Sequence, residues 1–116
     1  EKEEVEHIAV SIGPQAFPVA EHGFSQTLSI ISKGRWAVGG DTGLMHLCAA
    51  AGIPTVGLFG PTTSTDGFWC HPGSAIEVPL PCRPCSLHGG SICPIGDHKC
   101  MMEIDVDTVW ATLESM

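Results

Sequence analysis

The chain has 116 residues, 43% of them hydrophobic, and its 5 basic and 13 acidic residues give a net charge of −8. This length suits one domain or part of one, and the acidic balance argues against a nucleic-acid partner, which needs a basic surface. No apolar run approaches the length of a membrane span, and no secretory signal opens the sequence. We therefore expect a cytoplasmic protein.

The predicted elements of the first part alternate between strand and helix. Residues 5–12 are rich in Val and Ile, which predicts a strand, and the Pro- and Gly-containing segment after it predicts a loop. Ser25 is the expected N-cap of a helix that Gly34 stops. Residues 35–40 form the next predicted strand, which ends in two glycines. Because the sequence opens within an apparent strand, we expect it to be cut from a longer protein.

The second part continues the alternation. Asp41 or Thr42 is expected to cap a helix that runs to Ala51, with one buried face made of Leu44, Leu47, Cys48 and Ala51. Strands are predicted over residues 53–60 and 75–80, separated by a loop at 61–74. No regular structure is predicted at 81–101, and Asp105 or Asp107 should start a last helix that buries Val106, Val109, Trp110 and Leu113.

This alternation predicts an α/β domain around a parallel sheet. Four strands make a small sheet with an open edge, so either more chain or a second copy of the protein should cover that edge. In an open parallel sheet, ligands bind beyond the carboxyl ends of the strands. The segments that follow the strands ending near Gly40 and Gly60 are therefore the candidate binding segments.

The first candidate is the DTGLMH segment at the start of the predicted helix. A helix N-terminus presents unpaired N–H groups and partial positive charge, and Gly43 would let an anion approach the backbone closely. Thr42 and His46 are four residues apart and share a helix face, so both could donate hydrogen bonds to a phosphate. These features favour a diphosphate site at Asp41–His46. Ordinary capping and turn chemistry would explain the same residues.

The second candidate follows the strand at 53–60 and carries four hydroxyl residues, Thr62, Thr63, Ser64 and Thr65. Gly60, Pro61 and Thr62 adjoin the strand end and are expected to line the same cleft. A solvated polar loop is the better interpretation of residues 64–66.

Four cysteines crowd into residues 82–100, with the spacing Cys82-x2-Cys85-x7-Cys93-x6-Cys100. Four thiols that include a C-x-x-C pair could hold a structural zinc ion, with His71, His88 and His98 as spare ligands. A disulfide pair and unpaired thiols are the alternatives. In each case we expect the cysteines to lie close together and to hold the long loop beside the cleft, since the loop has little apolar periodicity of its own.

The segment VGGDTGLMHLCAAAGIPTVGLFGPT, followed by CRPC and then by CMMEI, resembles family-nine glycosyltransferases, the ADP-heptose:lipopolysaccharide heptosyltransferases and their relatives. The resemblance is good from about Phe24 to Val109 and weak before that. One difference is Cys48, where the family usually has a small residue such as alanine; cysteine is itself a small hydrophobe.

The resemblance implies a GT-B enzyme, in which two Rossmann-like domains face each other across a cleft. This chain would be half of the C-terminal domain, which binds the nucleotide-sugar, with Asp41, Thr42, Gly43, Leu44 and His46 lining the donor's diphosphate and sugar. The reaction implied is inverting transfer of heptose or a similar sugar from an ADP-sugar to a lipopolysaccharide core acceptor. No cofactor is required, and the missing domain would supply the catalytic base and any contact with the inner membrane.

The sequence leaves two other functions open. A sugar-nucleotide epimerase of the same architecture would resemble this chain, but such enzymes prefer glutamates early in the helix, and LMHLC has none. The other is a non-catalytic module that binds phosphate or is stabilised by zinc.

Overall fold

The computed structural model describes residues 1–19, 22–64, 73–85 and 92–116. Five helices and three strands lie in these ranges. In chain order they are α1 (Lys2–Ile12), α2 (Phe24–Ile31), β1 (Ala37–Gly40), α3 (Gly43–Ala50), β2 (Thr55–Phe59), β3 (Gly73–Glu77), α4 (Lys99–Met102) and α5 (Val106–Glu114).

The three strands form one parallel sheet in the order β1-β2-β3. Ala37 pairs with Thr55 on one side of β2, and Gly73 pairs with Thr55 on the other. The central strand holds the core, since Val56 and Phe59 are both 0% exposed. The predicted parallel α/β fold is confirmed at this level, and a parallel sheet of this kind is consistent with a Rossmann-like domain.

The predicted strand at residues 5–12 is wrong, because this segment is the helix α1. Its apolar residues Val5, Ile8, Ala9 and Ile12 recur at helical spacing, and Glu3 and Glu4 lie in the first turn, where negative charge is favourable. No residue of α1 is buried, and Ile8 is 57% exposed. The described ranges therefore hold three of the four predicted strands.

Helix α2 begins and ends earlier than the sequence suggests. Gly23, not Ser25, is the N-cap residue, and its backbone N–H donates to Gln26 Oε1 at 3.2 Å. The last helical residue is Ile31, and Gly34 lies beyond it in a turn, where its N–H donates to the Ile31 carbonyl at 2.8 Å. A side chain that reaches back from inside the helix thus replaces the expected serine cap.

Helix α3 is found where predicted, but it buries a different face. Met45, Cys48 and Ala49 are buried, whereas Leu44 is 56% exposed. Leu47 and Ala51 are only half-buried. The helix is therefore rotated about its axis relative to the prediction, and Leu44 faces solvent at the helix start.

Two differences concern the later elements. The third strand begins at Gly73 and ends at Glu77, earlier than the predicted range of 75–80. Pro79 explains the end, because proline cannot donate a ladder hydrogen bond. The segment at 81–101, for which no regular structure is predicted, contains the short helix α4. Of the predicted loop at 61–74, residues 65–72 lie outside the described ranges.

The last helix, α5, confirms the prediction at its start. Asp105 is the N-cap residue, and its carboxylate accepts the Thr108 N–H at 3.3 Å. Of the predicted apolar face only Leu113 is buried; Val106 is 80% and Trp110 52% exposed. The Trp110 ring meets Trp36 edge-to-face, with 6.0 Å between centroids. In the described ranges the longest helix is α1, with 11 residues, and none is long and apolar enough to cross a membrane.

Candidate functional site

The carboxyl ends of all three strands lie at one edge of the sheet. The strands are parallel, Gly40 at the end of β1 pairs with Leu58, and Phe59 at the end of β2 pairs with Glu77 at the end of β3. Paired strands lie about 4.8 Å apart, so the segments that follow them are neighbours. The structure thus brings the two predicted binding segments, 41–46 and 60–62, to the same edge.

The first segment leaves the start of α3 accessible. Thr42 is the N-cap residue, its backbone is extended with φ −137° and ψ 162°, and its side chain makes no capping hydrogen bond. A Cβ added at Gly43 would meet nothing within 4 Å. Thr42, Gly43 and Leu44 are all exposed. The Thr42 side chain therefore does not cap the first-turn N–H groups, which leaves this helix start accessible to a ligand.

Asp41 and His46 lie next to each other across this helix start. The distance from His46 Nε2 to Asp41 Oδ1 is 3.9 Å, and the two side chains are 33% and 19% exposed. Aspartate, hydroxyl and imidazole are thus grouped at one helix N-terminus.

The second segment is more deeply placed than the first. Thr62 is 4% exposed, and Gly60 is also buried. A Cβ added at Gly60 would collide with the Met101 side chain and lie 3.2 Å from Cys100 Sγ. Gly60 therefore has a packing role against α4, which sequence reasoning did not predict. Pro61 is half-buried and is more accessible to a ligand than either neighbour.

Sequence reasoning also missed Glu77, at the end of β3. Its carboxylate accepts hydrogen bonds from Thr63 Oγ1 at 2.9 Å, from the Ser64 N–H at 3.0 Å and from Ser64 Oγ at 2.9 Å. Arg83 completes the group with an N–O distance of 3.1 Å. Thr63 and Ser64 thus contact a partly buried ion pair instead of forming a purely solvated loop. No spacing in the sequence points to this contact, which joins residues 13 and 14 positions apart.

These contacts make the stability depend on pH. Burial raises the pKa of Glu77, but the hydrogen bonds from Ser64, Thr63 and Arg83 outweigh it, so the pKa lies below its usual value. Glu77 therefore stabilises the folded protein. This stabilisation is complete above the pKa that the carboxyl has in the unfolded chain, about 4.3, and it is lost as the pH falls through the lower pKa that the carboxyl has in the folded protein. We expect the free energy of unfolding, followed by urea titration at several pH values, to fall less steeply below about pH 4.3 in Glu77→Gln than in the wild type. Glu103→Gln, at an exposed position, should keep the wild-type slope; equal slopes for all three proteins would contradict this account.

The comparisons with known proteins address the same region. The family model described as "Glycosyltransferase family 9 (heptosyltransferase)" matches residues 1–85, which include both binding segments and Arg83. The chain belongs to glycosyltransferase family 9. The predicted family resemblance is thereby confirmed, and the epimerase alternative is not favoured.

Two curated family members are similar to the chain. It is 35% identical over 71 residues to lipooligosaccharide heptosyltransferase 2 of Campylobacter jejuni subsp. jejuni serotype O:2, and 34% identical over 71 residues to the protein of that name from serotype O:6. Each alignment covers 60% of this chain, but only 21% and 22% of the relative. The chain thus spans about a fifth of the length of these glycosyltransferases. No solved structure matches.

The four cysteines line one small cavity of about 80 Å³, together with Asp97 and Lys99. All four carry free thiols; Cys100 is buried, and Cys82 and Cys85 are exposed. Hydrogen bonding from the His98 backbone, with smaller contributions from residues 95–97, holds the pKa of Cys93 below its usual value. Among the described residues, no three His, Cys, Asp or Glu side chains converge closely enough to hold a metal ion. His71 and His88 lie outside those residues, and the zinc site stays a prediction.

Two measurements on the purified chain test the cysteine prediction. We expect about one zinc per chain by elemental analysis, and fewer reactive thiols before than after removal of the metal by a chelator. Serine at both Cys82 and Cys85 should abolish zinc binding, because a structural site needs four protein ligands. Serine at Cys48, which is buried in α3, serves as the matched control. Metal-free chain with all thiols reactive would contradict the zinc site and leave unpaired thiols as the explanation.

Proposed function

We propose that the chain is the donor-binding portion of an inverting GT-B glycosyltransferase. In this proposal it binds an ADP-sugar and presents it to a lipopolysaccharide or lipooligosaccharide core acceptor held by the rest of a longer protein. The proposal builds on the family membership and extends to this chain the activity that the names of the two relatives state. Its main structural support is the open N-terminus of α3 at the carboxyl edge of the sheet, where Thr42, Gly43 and His46 lie together.

The chemistry of the transfer suits these groups. When the bond between the anomeric carbon and the phosphate oxygen breaks, negative charge grows on the leaving ADP. N–H groups at the start of α3, the Thr42 hydroxyl and the His46 imidazole are hydrogen-bond donors grouped at one helix start, and in this proposal they stabilise this charge. In this scheme the Asp41 carboxylate is placed for the sugar hydroxyls, and neither a metal nor a cofactor is called for.

Calorimetric titration of the chain with ADP, UDP and GDP tests the donor assignment. We expect ADP to bind most tightly, because the nucleotide of the proposed donor is ADP. Heat from none of the three would favour the non-catalytic interaction module and contradict the proposal. Equal binding of all three would support a diphosphate site but contradict the ADP-sugar as the specific donor.

The proposal also predicts that the chain alone transfers no sugar. Inversion needs an acceptor hydroxyl held opposite the leaving group and a base to take its proton, and in this proposal another domain supplies both. Incubation of the purified chain with ADP-heptose and a lipopolysaccharide core acceptor should therefore give no product by mass spectrometry. Product formation by the chain would show that the acceptor site and base lie within it.

A further inference from the structure

Arg83 binds the backbone at the end of the central strand. Its Nε donates to the Gly60 carbonyl at 2.6 Å, and its Nη2 lies 2.9 Å from the Thr62 carbonyl and 3.4 Å from that of Phe59. The Arg83 side chain is only 9% exposed. When the N–H groups of a nearly buried guanidinium donate to several main-chain carbonyls, they fix the path of that main chain.

The neighbouring backbone completes this arrangement. The Cys85 N–H donates to the Pro61 carbonyl at 3.0 Å. Residues 83 and 85 together therefore bind four consecutive carbonyl groups, those of residues 59–62. The segment that follows β2 cannot shift without breaking several of these bonds at once.

Glu77 fixes the two residues that follow this segment, Thr63 and Ser64. Its carboxylate balances the Arg83 charge at 3.1 Å and accepts from Thr63 and Ser64. Arg83 Nη1 also donates to the Val78 carbonyl at 3.0 Å, just after β3. The ion pair therefore ties the ends of β2 and β3 together at the edge of the sheet where α3 begins.

We propose that Arg83 and Glu77 are positioning residues, which fix residues 60–64 as the second wall of the nucleotide-sugar site opposite the start of α3. This inference rests on the proposed function. Neither side chain needs to touch the ligand, because both act through the backbone and hydroxyl groups of the wall. Lysine cannot replace Arg83, since a single ammonium lacks the planar fork that reaches several carbonyls and a carboxylate together.

The test compares Arg83→Lys and Glu77→Gln with Arg35→Lys, at a temperature where circular dichroism shows every protein folded. Arg35 is a matched control because it is exposed and lies over the Trp36 ring, 4.5 Å from its centroid, on the amino side of β1 and not at the carboxyl ends of the strands. We expect ADP affinity by calorimetry to fall at least about tenfold in the first two variants, a change of about 1.4 kcal/mol, and to be unchanged in the control. In amide spectra, Arg83→Lys should shift the resonances of the non-proline residues among 60–64 and leave those of residues 43–50 in place.

Chemical rescue separates positioning from a general loss of stability. Added methylguanidinium should restore part of the ADP affinity of Arg83→Ala, whereas methylammonium should not, because only the former has the planar donor fork. Wild-type affinity in Arg83→Lys, or equal rescue by both cations, would overturn the inference while leaving the proposed function standing. Absence of ADP binding by the wild type would instead contradict the proposed function. In that case unshifted resonances at 60–64 in Arg83→Lys would also overturn the positioning role.

Discussion

Replacing His46 by alanine should lower the affinity of the chain for ADP by about tenfold to a hundredfold, as expected for loss of one hydrogen bond to a charged group, worth about 1.5–3 kcal/mol. Thr42→Ala should act in the same direction, because it removes another proposed hydrogen-bond donor to the phosphate. Neither change touches the buried face of α3, which is made by Met45, Cys48 and Ala49, so the fold should persist. Calorimetry with ADP and far-ultraviolet circular dichroism measure the two quantities.

Asp41→Ala has a different expected signature. A carboxylate placed for the sugar hydroxyls should matter little for ADP itself, but in a protein that joins this chain to an acceptor domain, Asp41→Ala, Thr42→Ala and His46→Ala should all reduce transfer strongly. His22→Ala is the matched control, since His22 is exposed and precedes α2. Turnover within about twofold of the wild type for all three, a barrier change under about 0.5 kcal/mol, would remove these residues from the site.

The largest effect on stability is expected from Phe59→Ala. The Phe59 side chain is 0% exposed in the central strand, so its removal leaves a cavity between the sheet and the elements packed on it. Such a change costs about 3–5 kcal/mol, a large part of the roughly 5–15 kcal/mol that holds a typical domain folded. Urea unfolding of the chain measures the loss as a lower midpoint with a similar slope.

Phe24→Ala is the matched control for this prediction. Phe24 begins α2 and is 69% exposed, so its replacement should change the free energy of unfolding by no more than about 0.5 kcal/mol. If Phe59→Ala fails to fold, Phe59→Leu retains enough apolar volume to give a measurable intermediate loss. Equal midpoints for Phe59→Leu, Phe24→Ala and the wild type would show that the core does not depend on Phe59.

The parts of the fold that the sequence predicted best are those with a strong local signal. The apolar run through Val56 and Phe59 identified β2, and the glycines and the Asp-Thr pair before α3 identified the strand-to-helix junction. The start of α5 was predicted at Asp105 or Asp107, and Asp105 is the cap because its carboxylate accepts a hydrogen bond within the same turn. Each of these signals depends on residues a few positions apart.

The failures have an equally physical cause. The segment of α1 contains Val and Ile, which suit strands, and only the spacing of these residues together with Glu3 and Glu4 reveals the helix. The role of Arg83 cannot be found locally, since its acceptors at Phe59 and Gly60 are 24 and 23 residues away. The prediction that Leu44 is buried is wrong. Helical periodicity predicts how wide an apolar stripe is better than which side of the helix it occupies.

The parallel order of the sheet has a consequence for how the chain folds. Ala37 pairs with Thr55, and Thr55 pairs with Gly73, so each ladder joins residues eighteen positions apart. Neither strand pair can start as a hairpin, because parallel neighbours need a crossover between them. The chain loses the entropy of closing these loops before the hydrogen bonds between the strands can stabilise it. Folding is therefore slower than for a helical protein of this size. Helix α3 lies within the first crossover and packs on both β1 and β2, so we expect it to become stable together with their pairing.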